Sequence, residues 1–204
     1  MQLIRRSTSA SLEAWISRPF SPGVELGPRA TDQCDTYERA VAHEPPGAPL
    51  ADGPFRRAAS AILRYDIFPP SRLQRVVARE PVELGDTVGA RYHIAPGFDL
   101  LFASRVVEVF DAVDVERNLH RAGFTYRTLA GHPEFGEETF AVEKDLESGA
   151  VSVSLRSWSR PGGLLTRIGW PLARRIQVGA SRDALAHLER AARADTLAMP
   201  AAEP

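Results

Sequence analysis

The sequence predicts an α+β fold: a curved antiparallel sheet wrapped around one long C-terminal helix. Three observations predict it. Between Val88 and Ser159 the chain runs through successive stretches that alternate apolar and polar residues, the period of half-buried strands. Turn signals such as Ala95-Pro96-Gly97 and Glu147-Ser148-Gly149 separate some of these stretches, which suits antiparallel neighbours. After Ser159-Arg160-Pro161-Gly162-Gly163 the apolar period lengthens to about four residues, as in an amphipathic helix.

Taken in order, residues 1–54 read as an N-terminal arm, partly irregular. The stretch Pro19–Gly53 is rich in proline, glycine and acid, a composition that buries little apolar surface. A short amphipathic piece around Leu12, Trp15 and Ile16 is its one candidate for docking on the main body. The domain proper is expected over 55–193. "AILRYDIF", Ala61–Phe68, alternates with Leu63, Tyr65 and Ile67 on one face and reads as a strand. Two prolines then end it, and Ser71 with Gln74 has the spacing of a capping box, predicting a short helix with Leu73, Val76 and Val77 inward.

Strands follow in "VGARYHI", "LLFASRVVEVF", "GFTYRTL", "TFAVEK" and "AVSVSLRSWS". In the last, Val151, Val153 and Leu155 share one face, and Arg156 and Trp158 the other. The closing helix carries Ile168, Leu172, Ile176, Ala180, Leu185, Leu188 and Ala192 as its apolar stripe, with Pro171 predicted to kink it or to mark a break into two segments. Residues 194–204 read as a flexible tail. Strands in series closed by one long helix give the order of the helix-grip fold, in which sheet and helix enclose a cavity.

Composition bounds the function. The 204 residues carry a formal net charge of −1, so no global basic surface points to nucleic acid. The apolar fraction of 44% and charged fraction of 25% are those of a globular protein. Cys34 is the only cysteine, which excludes an intrachain disulfide and a cysteine metal cluster. No signal-like or membrane-spanning run is evident, so a cytoplasmic location is expected, with no transmembrane segment and no nucleic-acid partner.

The stretch Gly123–Asp145 holds the sharpest chemistry. Its Gly131-His132-Pro133 and Gly136-Glu137-Glu138 place a histidine near two carboxylates. A carboxylate that orients an imidazole raises its basicity, so His132 with Glu137 or Glu138 is a candidate catalytic pair. The competing reading is a tight connection, with the histidine fixing a turn and Gly136 supplying a positive φ. A metal site drawn from His132, Glu137, Glu138 and His120 matches no strong ligand spacing, and neither a metal nor a cofactor is expected. Ser157 and Ser159 lack a nucleophile-elbow pattern. Glu116 and His120, four apart, read as an exposed pair.

Arg156, Arg160, Arg167, Arg174 and Arg175 gather around the last strand and the helix start. They read either as a solvated, ion-paired face or as a grip on the anionic head of an amphiphile. The candidate ligand-binding residues are therefore Tyr126, Arg127, His132, Trp158 and Arg160.

Several spaced motifs resemble the domain of unknown function 1990 family, an uncharacterised UPF-type family. They are Gly123-Phe124, Tyr126, Thr128-Leu129, Gly131-His132-Pro133, Gly136-Glu137-Glu138, Phe140, Ser159-Arg160-Pro161, Pro171, Arg175 and Gln177. The family usually has a glycine after the tyrosine, where this chain has Arg127. The resemblance implies a Bet v 1-like (START-like) fold and no established activity. Three functions follow as expectations: binding of a small hydrophobic or amphiphilic molecule in an interior cavity, a hydrolase- or cyclase-like enzyme using His132 with Glu137 or Glu138, or a protein-interaction module.

Overall fold

The computed structural model describes residues 1–71, 73–163 and 170–194. Its elements are β1 (Gln2–Arg5), α1 (Glu13–Ile16), β2 (Gln33–His43), α2 (Pro54–Leu63), β3 (Gln74–Val76), β4 (Thr87–Ala95), β5 (Phe98–Asp114), β6 (Leu119–Thr128), β7 (Glu134–Asp145), β8 (Ala150–Pro161) and α3 (Trp170–Arg193). The strands form one eight-stranded antiparallel sheet in the order β2-β8-β7-β6-β5-β4-β3, with β1 alongside the start of β5. Register shifts between Ala40 and Ala42, His93 and Ala95, and Val106 and Glu108 mark bulges. Each such bulge bends its strand, and together they curl the sheet toward α3. The expected α+β helix-grip architecture is the observed one.

Two local expectations fail, each for a physical reason. Ala61–Phe68 is not a strand: Pro54–Leu63 is helical, with Pro54 in the first turn and Phe55, Ala58, Ala59 and Ile62 buried at helical spacing. The helix ends as Tyr65 turns to φ 56°, so the alternation of Leu63, Tyr65 and Ile67 spans a helix end and a loop. Ser71 does not start a helix either. Gln74–Val76 pairs with Gly89–Arg91 of β4, and tertiary pairing overrides the capping pattern.

The N-terminal segment also carries more order than its composition announces. Its β2, 11 residues long, pairs with β8 over its length and closes one sheet edge. Farther upstream, Leu12 and Trp15 are buried against Ala103 and Leu129 on the outer face of the sheet. The calls on Arg167, Ile168 and the tail from 195 onward lie outside the described residues, as do the side chains of Pro171 and Leu172.

The space between sheet and helix is filled unevenly. At one end Phe55 and Ile62 of α2, Phe124, Phe140, Val153 and Leu155 of the sheet, and Leu188 of α3 make a core without solvent access. Helix α2 fastens this end, because Arg57 donates to the Ala192 carbonyl at 2.9 Å. Toward the start of α3 the facing residues become small. Ala90 and Ser104 on the sheet stand opposite Ala180 and Ser181 on the helix, and a pocket opens between them.

Candidate functional site

The pocket measures about 270 Å³. Most of its wall is apolar: Phe68, Leu73, Val88, Ala90, Phe102 and Ile176. Its polar end is supplied by Tyr65, Tyr126, His132, Glu134, Glu138 and Gln177.

Strand alternation decides which side chains reach it. On β7, Glu134, Glu138, Phe140 and Val142 share the inward face with Gly136 between them, and Tyr126 stands opposite Glu138 on β6. Glu137 is therefore on the outer face, where it takes a 2.6 Å hydrogen bond from Arg127 Nε. Trp158 pairs with Glu137 in register and also faces outward, and Arg160 lies over its ring with the centroid 5.4 Å away. Arg160 in turn binds the buried Asp32 carboxylate at 2.8 Å and the Pro22 carbonyl at 3.2 Å. Of the residues singled out in the sequence, the structure brings together Tyr126, His132 and Glu138. It places Arg127, Glu137, Trp158 and Arg160 on the other side of the sheet.

His132 sits in the β6–β7 connection, just past Gly131 at φ 94°. Its amide donates to the Leu129 carbonyl at 2.9 Å. Its Nδ1 lies 2.7 Å from the Glu134 carbonyl oxygen and 3.1 Å from the Glu134 amide nitrogen. A protonated Nδ1 donates to the first and a bare Nδ1 accepts from the second, so either tautomer closes the turn. The ring stacks edge-on against Phe102 at 4.9 Å between centroids. Burial pushes its pKa down to about 3, so the ring is neutral at physiological pH. The histidine is held by backbone rather than by a carboxylate, which is the turn-fixing arrangement.

Gly136 departs from expectation in its cause. It adopts no positive φ; a Cβ there would meet the Trp158 carbonyl oxygen at 2.1 Å, so the position requires the close approach of β8.

The carboxyls carry the unusual chemistry. Glu138 accepts a hydrogen bond from the Tyr126 hydroxyl, and Gln177 Nε2 donates to Glu134 Oε2 at 3.3 Å. Protein surrounds both carboxyls, and their remaining accessible surface opens into the pocket. Burial raises each pKa to about 7; for Glu138 the charges of Glu134 and Asp35 add to the rise and the Tyr126 hydroxyl offsets part of it. Burial and the charge of Glu138 raise the Tyr65 and Tyr126 hydroxyls too, so both stay protonated donors. Glu134 escaped sequence reasoning, although its parity with Glu138 along the strand would have placed the two on one face. Two further arginines of the predicted basic cluster are committed elsewhere: Arg174 forks onto Asp35, and Arg156 stands 3.7 Å from Glu143. Among the described residues no group of three or more histidine, cysteine or acidic side chains is placed to hold a metal ion. No described helix is long and apolar enough to cross a membrane.

Sheet, helix and intervening pocket define an α+β protein of the helix-grip class. Within that class, the model of the domain of unknown function (DUF1990) matches residues 25–187, and the chain belongs to that family. It is 30% identical to a UPF0548 protein of Dictyostelium discoideum over 60% of this chain and 59% of the relative. It is 36% identical to a UPF0548 protein of Deinococcus radiodurans over 47% of this chain and 45% of the relative. The matches thus span less than two thirds of those relatives' own length. A hypothetical protein of Helicobacter pylori has a similar fold, with a TM-score of 0.55 and 12% identity over 91% of this chain and 99% of that one.

Proposed function

We propose that this protein binds one small, largely apolar molecule in the pocket between sheet and α3. A single observation carries the reading: the layers are packed tightly around Phe124, Phe140 and Leu188, then part where Ala90, Ser104, Ala180 and Ser181 face one another. Apolar walls with a few converging polar groups are the general form of a small-molecule site. The volume of about 270 Å³ suits a compound of roughly 10 to 15 non-hydrogen atoms at protein-like packing. Tyr126, Glu138 and Glu134 read its polar end; Phe102 and Ile176 hold its body.

Extraction of natively purified protein followed by mass spectrometry tests this. An apolar compound of that size is expected to co-purify, or a member of an apolar panel to raise the melting temperature. Neither result, across a panel spanning aromatic and aliphatic compounds, overturns the proposal.

A second reading is favoured by the carboxyls specifically. A group that titrates near pH 7 serves as general acid or base, and Glu138 beside Tyr126 has that character. In this reading Glu138, not His132 with Glu137, exchanges the proton with a bound substrate. Conversion of a co-purified compound by wild type, with loss of turnover in Glu138→Gln but retained binding, is the expected result.

A further inference from the structure

We infer that the molecule bound in this pocket carries a protonated amine at its polar end, set against Glu138; this rests on the reading above that the pocket binds a small molecule at all. The argument is one of charge and hydrogen-bond type. Two carboxyls, Glu134 and Glu138, face one apolar space from the same side of β7. Among the described residues lining that space there is no lysine or arginine. Three nearby arginines have acidic partners outside it: Arg127 with Glu137, Arg160 with Asp32, Arg174 with Asp35. A carboxylate or phosphate head would add a negative charge to a site that already holds carboxyls, and of those arginines only Arg174 reaches it, through its charge on Glu134. An ammonium reverses the balance. It offers up to three donors where an ionised carboxyl can only accept, and charge-assisted bonds of this kind are about twice as strong as neutral ones.

The surroundings of Glu138 make the same case from every packed element. Tyr126 on β6 and Tyr65 beyond α2 supply hydroxyls, His132 in the connecting turn is neutral, and Glu134 on the same strand and Asp35 on β2 add negative charge. From α3, Gln177 reaches Glu134, and Arg174, held by Asp35, lowers the Glu134 carboxyl through its charge, while the N-terminal amine lies near His132. Glu138 is thus poised near neutrality between protonated and ionised forms. A cation beside it favours the ionised form, so amine binding releases protons below about pH 7 and tightens as pH rises through that value. Binding of a neutral compound does not tighten over the same range.

Calorimetric titration of the whole protein with 4-phenylbutylamine, 4-phenylbutanol and 4-phenylbutyrate separates the possibilities, since the three share one apolar body and differ in head charge. The amine is expected to bind at least about tenfold more tightly than the alcohol, and the carboxylate most weakly. Glu138→Gln is expected to remove the preference of amine over alcohol, and Glu134→Gln to lower that preference less. The wild-type order stands on its own if either variant folds poorly. An alcohol that binds as tightly as the amine, or an amine affinity indifferent to Glu138→Gln in a folded variant, overturns the cationic head and leaves the pocket proposal standing. No binding by any of the three overturns this inference, and co-purification of some other apolar compound would then show that the pocket proposal survives without it.

Discussion

Two buried carboxylate sites in this molecule make opposite use of the same group. Glu44 and Lys144 form an ion pair at 2.9 Å with side chains 1% and 0% exposed. Burial pushes the Glu44 pKa up, but bonds from the Phe55 amide, Lys144 and the Leu50 amide more than offset it and hold the group below its ordinary value. Glu134 and Glu138, a few residues before Lys144 on the same strand, have no bonded cation among the described residues; the charge of Arg174 lowers Glu134 only in part, and burial prevails. The difference teaches what each site is for. Glu44 accepts from the first turn of α2 at 2.9 Å and ties it to β7, a structural device complete in itself. The pocket carboxyls are incomplete, and this incompleteness, which costs stability, is what the proposed ligand would relieve.

The comparison breaks most severely at the ion pair. Lys144→Met leaves Glu44 buried without its cation, and denaturant unfolding is expected to show a loss of about 3–5 kcal/mol. The double variant Lys144→Met with Glu44→Gln removes both charges while keeping an acceptor for the Phe55 amide, and recovers a large part of that loss. A single variant as stable as wild type would mean the pair is solvated and the contrast with the pocket false.

The pocket carboxyls behave the other way. Their folded pKa values of about 7 lie above the ordinary value of 4.5, so the folded state holds more protons than the unfolded chain between those limits. Their contribution is complete below about pH 4.5 and is lost as pH rises through 7. His132 opposes this: its folded value of about 3 lies below 6.5, so stability falls as pH drops through that interval. Two carboxyls outweigh one imidazole between about pH 5 and pH 7, and melting temperature is expected to decline over that range; the N-terminal amine, lowered from 8.0 to about 6 by burial, opposes the decline above pH 6. Glu138→Gln is expected to flatten that decline, gaining about 1–2 kcal/mol at pH 8 and little at pH 5, a magnitude discounted for the carboxyl's access to the pocket. An unchanged slope in the variant would show Glu138 to be well solvated.

The smallest effect belongs to the outer face. Glu137→Gln and Arg127→Gln each remove a partly exposed partner, and chemical unfolding is expected to change by less than about 1 kcal/mol, with no change in ligand affinity. A large loss of affinity in Glu137→Gln would move the site across the sheet.

The strand series from Val88 to Ser159 and the long terminal helix were readable because alternation and the change of period are properties of short windows. Helix α2 was not, because its apolar positions and the alternation of Leu63, Tyr65 and Ile67 overlap, and the carboxylate that receives its first-turn amide, Glu44, lies 11 residues upstream of Phe55. The contribution of β2 to the sheet was hidden for a similar reason: its pairing partner β8 lies more than a hundred residues away. Of the residues lining the pocket, Tyr126, His132 and Glu138 had been singled out by residue type. Glu137 was grouped with them by adjacency, although neighbouring strand residues point to opposite faces and Glu134 is the one that shares theirs.

The central claim is that a small molecule occupies the space beside Ala180. Titration of 4-phenylbutanol and 4-phenylbutylamine into wild type and Ala180→Phe, each first confirmed folded by its melting curve, tests it most directly. One molecule bound per chain in wild type, and none detectable in the filled variant, is the predicted result. Equal affinity in both would place the ligand elsewhere and contradict the account.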